Sequence, residues 1–204
     1  MENGTTETLE DIVKEIMNCR KCELHKTKTN YVPGAGNEKA EVVFIGEAPG
    51  KEEDLKGEPF VGSAGKLLNE MLSSIGLSRC DVYICNVLKC RPPKNRDPSP
   101  EEIEICGEYL KRQLDVITPN VIVCLGRFAA KYIFDLFNLN FTSISRIKGR
   151  IFEVKKWGKD VKVIPLYHPA AILYKPQLRN EYEQQFEKIG KIVGRKQPTL
   201  FDYL

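Results

Sequence analysis

The chain has 204 residues, of which 42% are hydrophobic, and a formal net charge of +3. That length suits one domain with a sizeable core. No apolar run approaches the ~20 residues of a membrane span, and the opening MENGTTETLEDIV lacks the basic-then-apolar order of a secretion signal. A cytoplasmic, monomeric protein is expected, without membrane contact, built as one domain over residues 1–196 with a short tail over 197–204. Seven cysteines in such a protein point to metal or redox chemistry rather than to disulfides, and an odd number cannot pair completely. Abundant Lys and Glu fit a protein adapted to heat.

LEDIVKEIMNC spaces Leu9, Ile12, Val13 and Ile16 on one helical face. AEVVFIGEAPG is an apolar strand that breaks at Gly46 into a turn, and SAGKLLNEMLSSIGL follows as a helix. DVYICNVLKC gives a second strand, leading into the proline-rich loop RPPKNRDP. In SPEEIEICGEYLKRQL, Ser99 caps a helix, Pro100 suits its first turn and Glu102 completes a capping box. NVIVCLG is a strand and RFAAKYIFDLF a helix; RIFEVKKWG and KVIPLYHPAAIL supply the last strands before the closing helix RNEYEQQFEKIGKIV. This alternation implies an open, mostly parallel sheet between two helical layers. Sites in such sheets lie beyond the strands' carboxyl ends, which here means GEAPGKEED, NVLKCRPP and YHPAAIL.

Cys19 and Cys22 form a CxxC able to grip one metal centre, and Cys90 and Cys106 supply two further thiolates, giving C-x2-C, a long gap, then C-x15-C. Four thiolates suit either structural zinc or a [4Fe-4S] cluster. Cys85 and Cys124 lie inside strands and read as buried apolar residues, while Cys80 sits at a corner. The run KCRPPKNR places Lys89, Arg91, Lys94 and Arg96 within eight residues. The phosphate-loop pattern GxxxxGK[ST] is absent, because Gly65-Lys66 is followed by Leu67, and so is GxGxxG. GEAPG instead offers bare backbone N–H groups to a ligand.

Taken in order, the cysteine pattern, GEAPGKEED, PFVGSAGKLL, NVLKCRPPKNRDP and HPAAIL resemble the family 4 (iron-sulfur) uracil-DNA glycosylases over about Cys19 to Leu173. The resemblance implies a three-layer α/β/α fold with a small, mostly parallel central sheet. It also implies a [4Fe-4S] cluster on Cys19, Cys22, Cys90 and Cys106 rather than zinc, and excision of uracil from single- or double-stranded DNA. A base inside a duplex must be flipped out before it can be cut from its sugar. By the same resemblance Phe60 stacks on the extruded uracil, Asn86 reads its polar edge and His168 stabilises O2 of the departing base. Gly46, Glu47, Ala48 and Gly50 form a cradle, and Glu53 walls the pocket near uracil C5. The best-known uracil glycosylases carry an aspartate in the equivalent GQDPY turn. That position resembles Ala48 here, as in family 4, which makes Glu47 the nearest candidate for handling water.

The basic loop then acquires a purpose, with Lys89, Arg91 and Arg96 held toward phosphates, and Leu173 or Tyr174 as a wedge into the space the base leaves. Rival readings are a glycosylase for another deaminated base such as hypoxanthine, or a non-catalytic zinc-stabilised DNA-binding protein. The chain closes on QPTLFDYL, where Gln197, Leu200, Tyr203 and Leu204 match the Q-x-x-h-x-x-a-a peptide that docks on DNA sliding clamps.

Overall fold

The structure, a computed structural model, describes residues 7–194. The sliding-clamp residues Gln197, Leu200, Tyr203 and Leu204 lie outside these described residues. Thr8 opens the first helix, α1 (Leu9–Met17): its hydroxyl accepts from the Asp11 N–H, and the Asp11 carboxylate accepts from the Thr8 N–H. The helix buries Leu9, Ile12 and Ile16, whereas Val13 is only half-buried.

Six strands make one sheet: β1 (Ala35–Gly36), β2 (Val42–Gly46), β3 (Tyr83–Asn86), β4 (Val121–Leu125), β5 (Phe152–Lys156) and β6 (Lys159–Leu166), in the order β1-β3-β2-β4-β6-β5. The four inner strands run parallel, in a register that sets Gly46 against Asn86 and Ile45 against Cys124. Both edges are antiparallel. On one side β1 is only a two-residue strand; on the other β5 leads into the hairpin around Trp157-Gly158, where both residues take positive φ, and β6 returns from it.

Alternation along the strands divides the core in two. Val43, Ile45, Cys85, Ile122 and Cys124 face a layer formed by α1, α4 (Pro100–Ile117) and α5 (Arg127–Leu136). Phe44, Ile84, Val123 and Leu166 face α3 (Ser63–Ser74) and α8 (Arg179–Ile192). The expected three layers follow directly, since a strand buried on both faces needs apolar residues at every position. Phe44 is fully buried and stacks on Phe186 with ring centroids 5.9 Å apart; truncating such a side chain to Ala costs about 3–5 kcal/mol.

Helix α4 carries the expected capping box, with Glu102 N–H donating to Ser99 Oγ and Ser99 N–H to the Glu102 carboxylate. Two segments read as loop are helical. KEEDLK forms α2 (Lys51–Lys56), closed by Gly57 in the left-handed conformation. HPAAIL enters α7 (Pro169–Tyr174), with Pro169 in its first turn and His168 as its cap. A four-residue turn, α6 (Ile144–Ile147), precedes β5. The chain leaves β2 toward β3 on one side while β4 lies on the other, so the winding reverses at β2 and opens a crevice beyond the carboxyl ends.

Candidate active site and cysteine cavity

A cavity of about 270 Å³ occupies that crevice. Glu47, Ala48, Gly50, Glu53, Phe60, Asn86, Arg96 and His168 all line it. Its volume lies near the lower end of ligand pockets, roughly 300–1,000 Å³, which suits a single ring.

Each wall is set by its local backbone. Asn86 is the last residue of β3 and 2% exposed. Its side-chain amide makes no hydrogen bond to any described residue, so a donor and an acceptor are left for whatever enters. Gly46 faces Asn86 across the parallel pair. A Cβ on Gly46 would sit 2.3 Å from Asn86 Oδ1 and 2.6 Å from Phe60 Cζ. Glycine is what lets amide and ring close on the same space, so Gly46 shapes the cavity without lining it.

Phe60 is buried at 4% exposure with φ of 53°. Left-handed backbone costs a non-glycine residue about 1–2 kcal/mol, and such outliers persist only where their surroundings hold them. Here Arg79 donates to the Phe60 and Pro59 carbonyls at 3.1 and 2.7 Å. Just beyond, the Val61 and Gly62 N–H groups both donate to Glu53 Oε1 at 2.9 Å. Glu53 thus lines the cavity and braces the segment that carries Phe60. Gly65 allows α3 to pass against the Phe60 carbonyl, where a Cβ would lie 1.8 Å from that oxygen.

His168 faces Phe60, with ring centroids 5.5 Å apart and planes inclined by 28°. The Ala170 N–H donates to His168 Nδ1 at 3.2 Å. An accepting Nδ1 puts the proton of the neutral ring on Nε2, the tautomer assigned here from that hydrogen bond. Burial lowers the pKa of this imidazole to about 4, with Glu53 pulling weakly the other way. The ring is therefore a neutral donor at physiological pH. Burial acts oppositely on Glu47, whose carboxyl rises to about 7, with Asp97 adding to the rise and Arg127 opposing it. One cavity thus holds a neutral imidazole and a carboxyl that titrates near neutrality.

The basic loop departs from expectation. Lys89 is 1% exposed, and its Nζ donates to the Asn86 carbonyl and to Gln113 Oε1, both at 2.7 Å. It cannot touch a phosphate, because Gln113, brought in by α4, closes over it. Arg91 is half-buried, with Nε donating to Asn95 Oδ1 at 2.8 Å. Arg96 holds the Glu102 carboxylate through both terminal nitrogens, at 2.9 and 2.6 Å, with its side chain 47% exposed. Leu173 and Tyr174, on α7 beside His168, are 46% and 86% exposed. Sequence reasoning missed Pro92 and Asn95 as lining residues; the PPKN turn was visible, but not its return over the cavity.

Cys19, Cys22, Cys90 and Cys106 line a second cavity, between α1, the loop after β3 and α4. Cys90 and Cys106 are buried, and the Lys89 N–H donates to Cys106 Sγ at 3.2 Å. Burial pushes the Cys106 thiol up to about 11 and raises Cys90 and Cys22 as well. Among the described residues no three His, Cys, Asp or Glu side chains converge closely enough for a metal ion. Cys85 and Cys124 are buried within strands and Cys80 is exposed.

The fold and this cavity set an aromatic face and an unpartnered amide around one small space, at the reversal point of a parallel sheet. A model of the Uracil DNA glycosylase superfamily matches residues 33–189, and the chain belongs to that superfamily. Within it the similarity runs to the type-4 enzymes. The chain is 75% identical to the Type-4 uracil-DNA glycosylase of Archaeoglobus fulgidus over 198 residues, covering 97% of this chain and 100% of the relative. Identity is 49% to the Type-4 uracil-DNA glycosylase of Sulfurisphaera tokodaii, over 97% of this chain and 90% of that one. It is 47% to that of Thermotoga maritima, over 94% and 98%.

Proposed function

We propose that this chain is a monofunctional uracil-DNA glycosylase, which flips uracil out of DNA and hydrolyses its N-glycosidic bond to leave an abasic site. The observation that carries this reading is the meeting of the unpartnered Asn86 amide, the Phe60 ring and neutral His168 in one base-sized cavity. The type-4 relatives, uracil-DNA glycosylases, supply the substrate. Asn86 accepts from N3–H and donates to O4 of uracil. Cytosine presents the reversed pattern at that edge and leaves both groups unpaired. Phe60 covers the ring face, and Gly46 lets both approach.

Cleavage builds positive charge on the sugar and negative charge on the base. The His168 Nε2–H donates to uracil O2 and holds the negative charge in a site where little water competes. Ionised Glu47 orients a water, takes its proton as the oxygen bonds to C1′, and faces the cationic sugar. The bonding pair of the broken C1′–N1 bond leaves with uracil. No lysine is among the residues lining the cavity, so no amine is placed to attack C1′, and hydrolysis without strand cleavage follows.

The four cysteines fit an iron-sulfur cluster by donor set and by their shared cavity. When bound, a [4Fe-4S] cluster supplies structural cross-linking, tying the Cys19–Cys22 turn to the loop after β3 and to α4. Arg91 and Arg96 present that loop to DNA phosphates, Leu173 or Tyr174 fills the gap left by the flipped base, and residues 197–204 dock on a sliding clamp. The enzyme acts on the genome in the cytoplasm as a monomer; among the described residues no helix is long and apolar enough to cross a membrane.

Excision of uracil, hypoxanthine and thymine from otherwise identical duplexes tests the reading. Uracil should be released at least a hundredfold faster than either. Preferential release of hypoxanthine, or binding without release of any base, would overturn it.

A further inference from the structure

Among the described residues Lys89 has no carboxylate partner. Its ammonium is buried between two neutral oxygens, the Asn86 carbonyl and Gln113 Oε1. Burying a charged group is costly unless its hydrogen bonds are well made, so the role of this lysine lies in what its two bonds, each of 2.7 Å, hold in place. Its connections show the task. Gln113 is fully buried and anchored in turn, its Nε2 donating to the Pro33 carbonyl and to the Tyr83 hydroxyl at 3.0 and 3.1 Å. The Lys89 main chain is also fixed, its N–H on Cys106 Sγ and its carbonyl accepting from the Val32 N–H at 2.8 Å. Both ends of one residue thus bind α4 and the segment before β1 to the peptide that leaves Asn86.

We propose that Lys89 is the positioning residue for Asn86: its ammonium grips the Asn86 carbonyl, fixing the end of β3 and with it the direction of the base-reading amide. The inference rests on the uracil-excision reading given above and adds the element that aims its specificity group. Nothing else among the described residues donates to that carbonyl from outside the sheet, and the amide itself has no protein partner to orient it. The same lysine connects the cysteine cavity to the base pocket, since its N–H lies on Cys106 and its side chain on Asn86.

Lys89→Met keeps the volume and removes the donors. Single-turnover excision of uracil by the cluster-loaded, full-length protein should fall on the order of 10- to 100-fold, the cost of misplacing a reacting partner by about an ångström, while the Kd for abasic product DNA and the visible absorbance stay unchanged. Lys89→Arg, which keeps a donor there, should recover most of the rate. In an Asn86→Ala background Lys89→Met should add less than about a threefold loss, because a residue acting through Asn86 has nothing left to position. Equal losses in the two backgrounds, or a folded Lys89→Met with the wild-type rate, would overturn the proposal. Should Lys89→Met not fold, Gln113→Leu removes one of the two ammonium acceptors and is read in the same way; failure of both to fold would assign the lysine to folding instead. A wild-type protein that releases no uracil would refute the functional reading and this assignment with it, whereas equal losses in the two backgrounds of an active enzyme would refute this assignment alone.

Discussion

Glu47→Gln changes the one cavity carboxyl set to titrate near neutrality. With the Glu47 carboxyl at about 7, about a tenth is ionised at pH 6 and about a hundredth at pH 5. If the carboxylate handles water, the single-turnover rate of the wild type is level above pH 7 and falls about tenfold per unit below it. His168, at about 4, is only about 0.1% protonated at pH 7. A mechanism that needed its imidazolium would therefore speed up about tenfold per unit as the pH falls toward 4. Glu47→Gln should lose on the order of 100-fold at pH 8, the lower range for removing a general base, and should give a flat profile between pH 5 and 8. The assay is quenched single-turnover excision from a uracil duplex with enzyme in excess, across that range. A variant that keeps the acid limb would clear Glu47, and one whose rate climbs toward low pH would mean that His168 acts as a cation. Stability should move the other way. The raised folded-state pKa means that native Glu47 keeps its proton longer than the unfolded chain does, so the wild type loses stability as the pH rises from 4.5 to about 7. Above pH 7, Glu47→Gln should be more stable by about 1–2 kcal/mol after discounting for partial exposure, measured by thermal unfolding.

Gly46→Ala should cut uracil excision at least a hundredfold and leave DNA binding unaltered, since its Cβ would meet Asn86 Oδ1 at 2.3 Å; kinetics and a binding titration check both parts. Asn86→Ala should abolish preference for uracil before it affects binding to an abasic product, and equal losses in both would remove Asn86 from base reading. Purified protein should be brown with absorbance in the visible blue, and Cys106→Ser should bleach it and lower the Tm by several degrees; a colourless protein with one equivalent of zinc would sink the cluster. Deleting residues 197–204 should leave excision from short duplexes unchanged and abolish capture by a sliding clamp, measured by surface binding.

Local patterns carried most of the fold into the sequence. The apolar runs became the four inner strands, Ser99 and Glu102 made their capping box, and the cavity residues came from short motifs at strand ends. What escaped depends on partners far along the chain. Lys89 reads as one more solvated cation in a basic run, and only Gln113, 24 residues away on α4, makes it a core residue. The left-handed φ of Phe60 is held through Arg79 on its carbonyl and Glu53 on the N–H groups that follow, and no propensity of phenylalanine announces it. The helix α7 did carry a signal, Pro169 in its first turn, but six residues are too few to show a helical period. The protonation of His168 likewise needed its Nδ1 partner, the Ala170 N–H.

The most direct measurement is the product of a single turnover on a U:G duplex, with free base and strand integrity followed together and His168→Ala run in parallel. Free uracil should appear while the strand stays whole until heat or alkali is applied. The variant should be slower by about 100- to 1,000-fold, the cost of losing one donor to a developing oxyanion. Spontaneous nicking, or a variant as fast as the wild type, would contradict hydrolysis assisted by a neutral histidine.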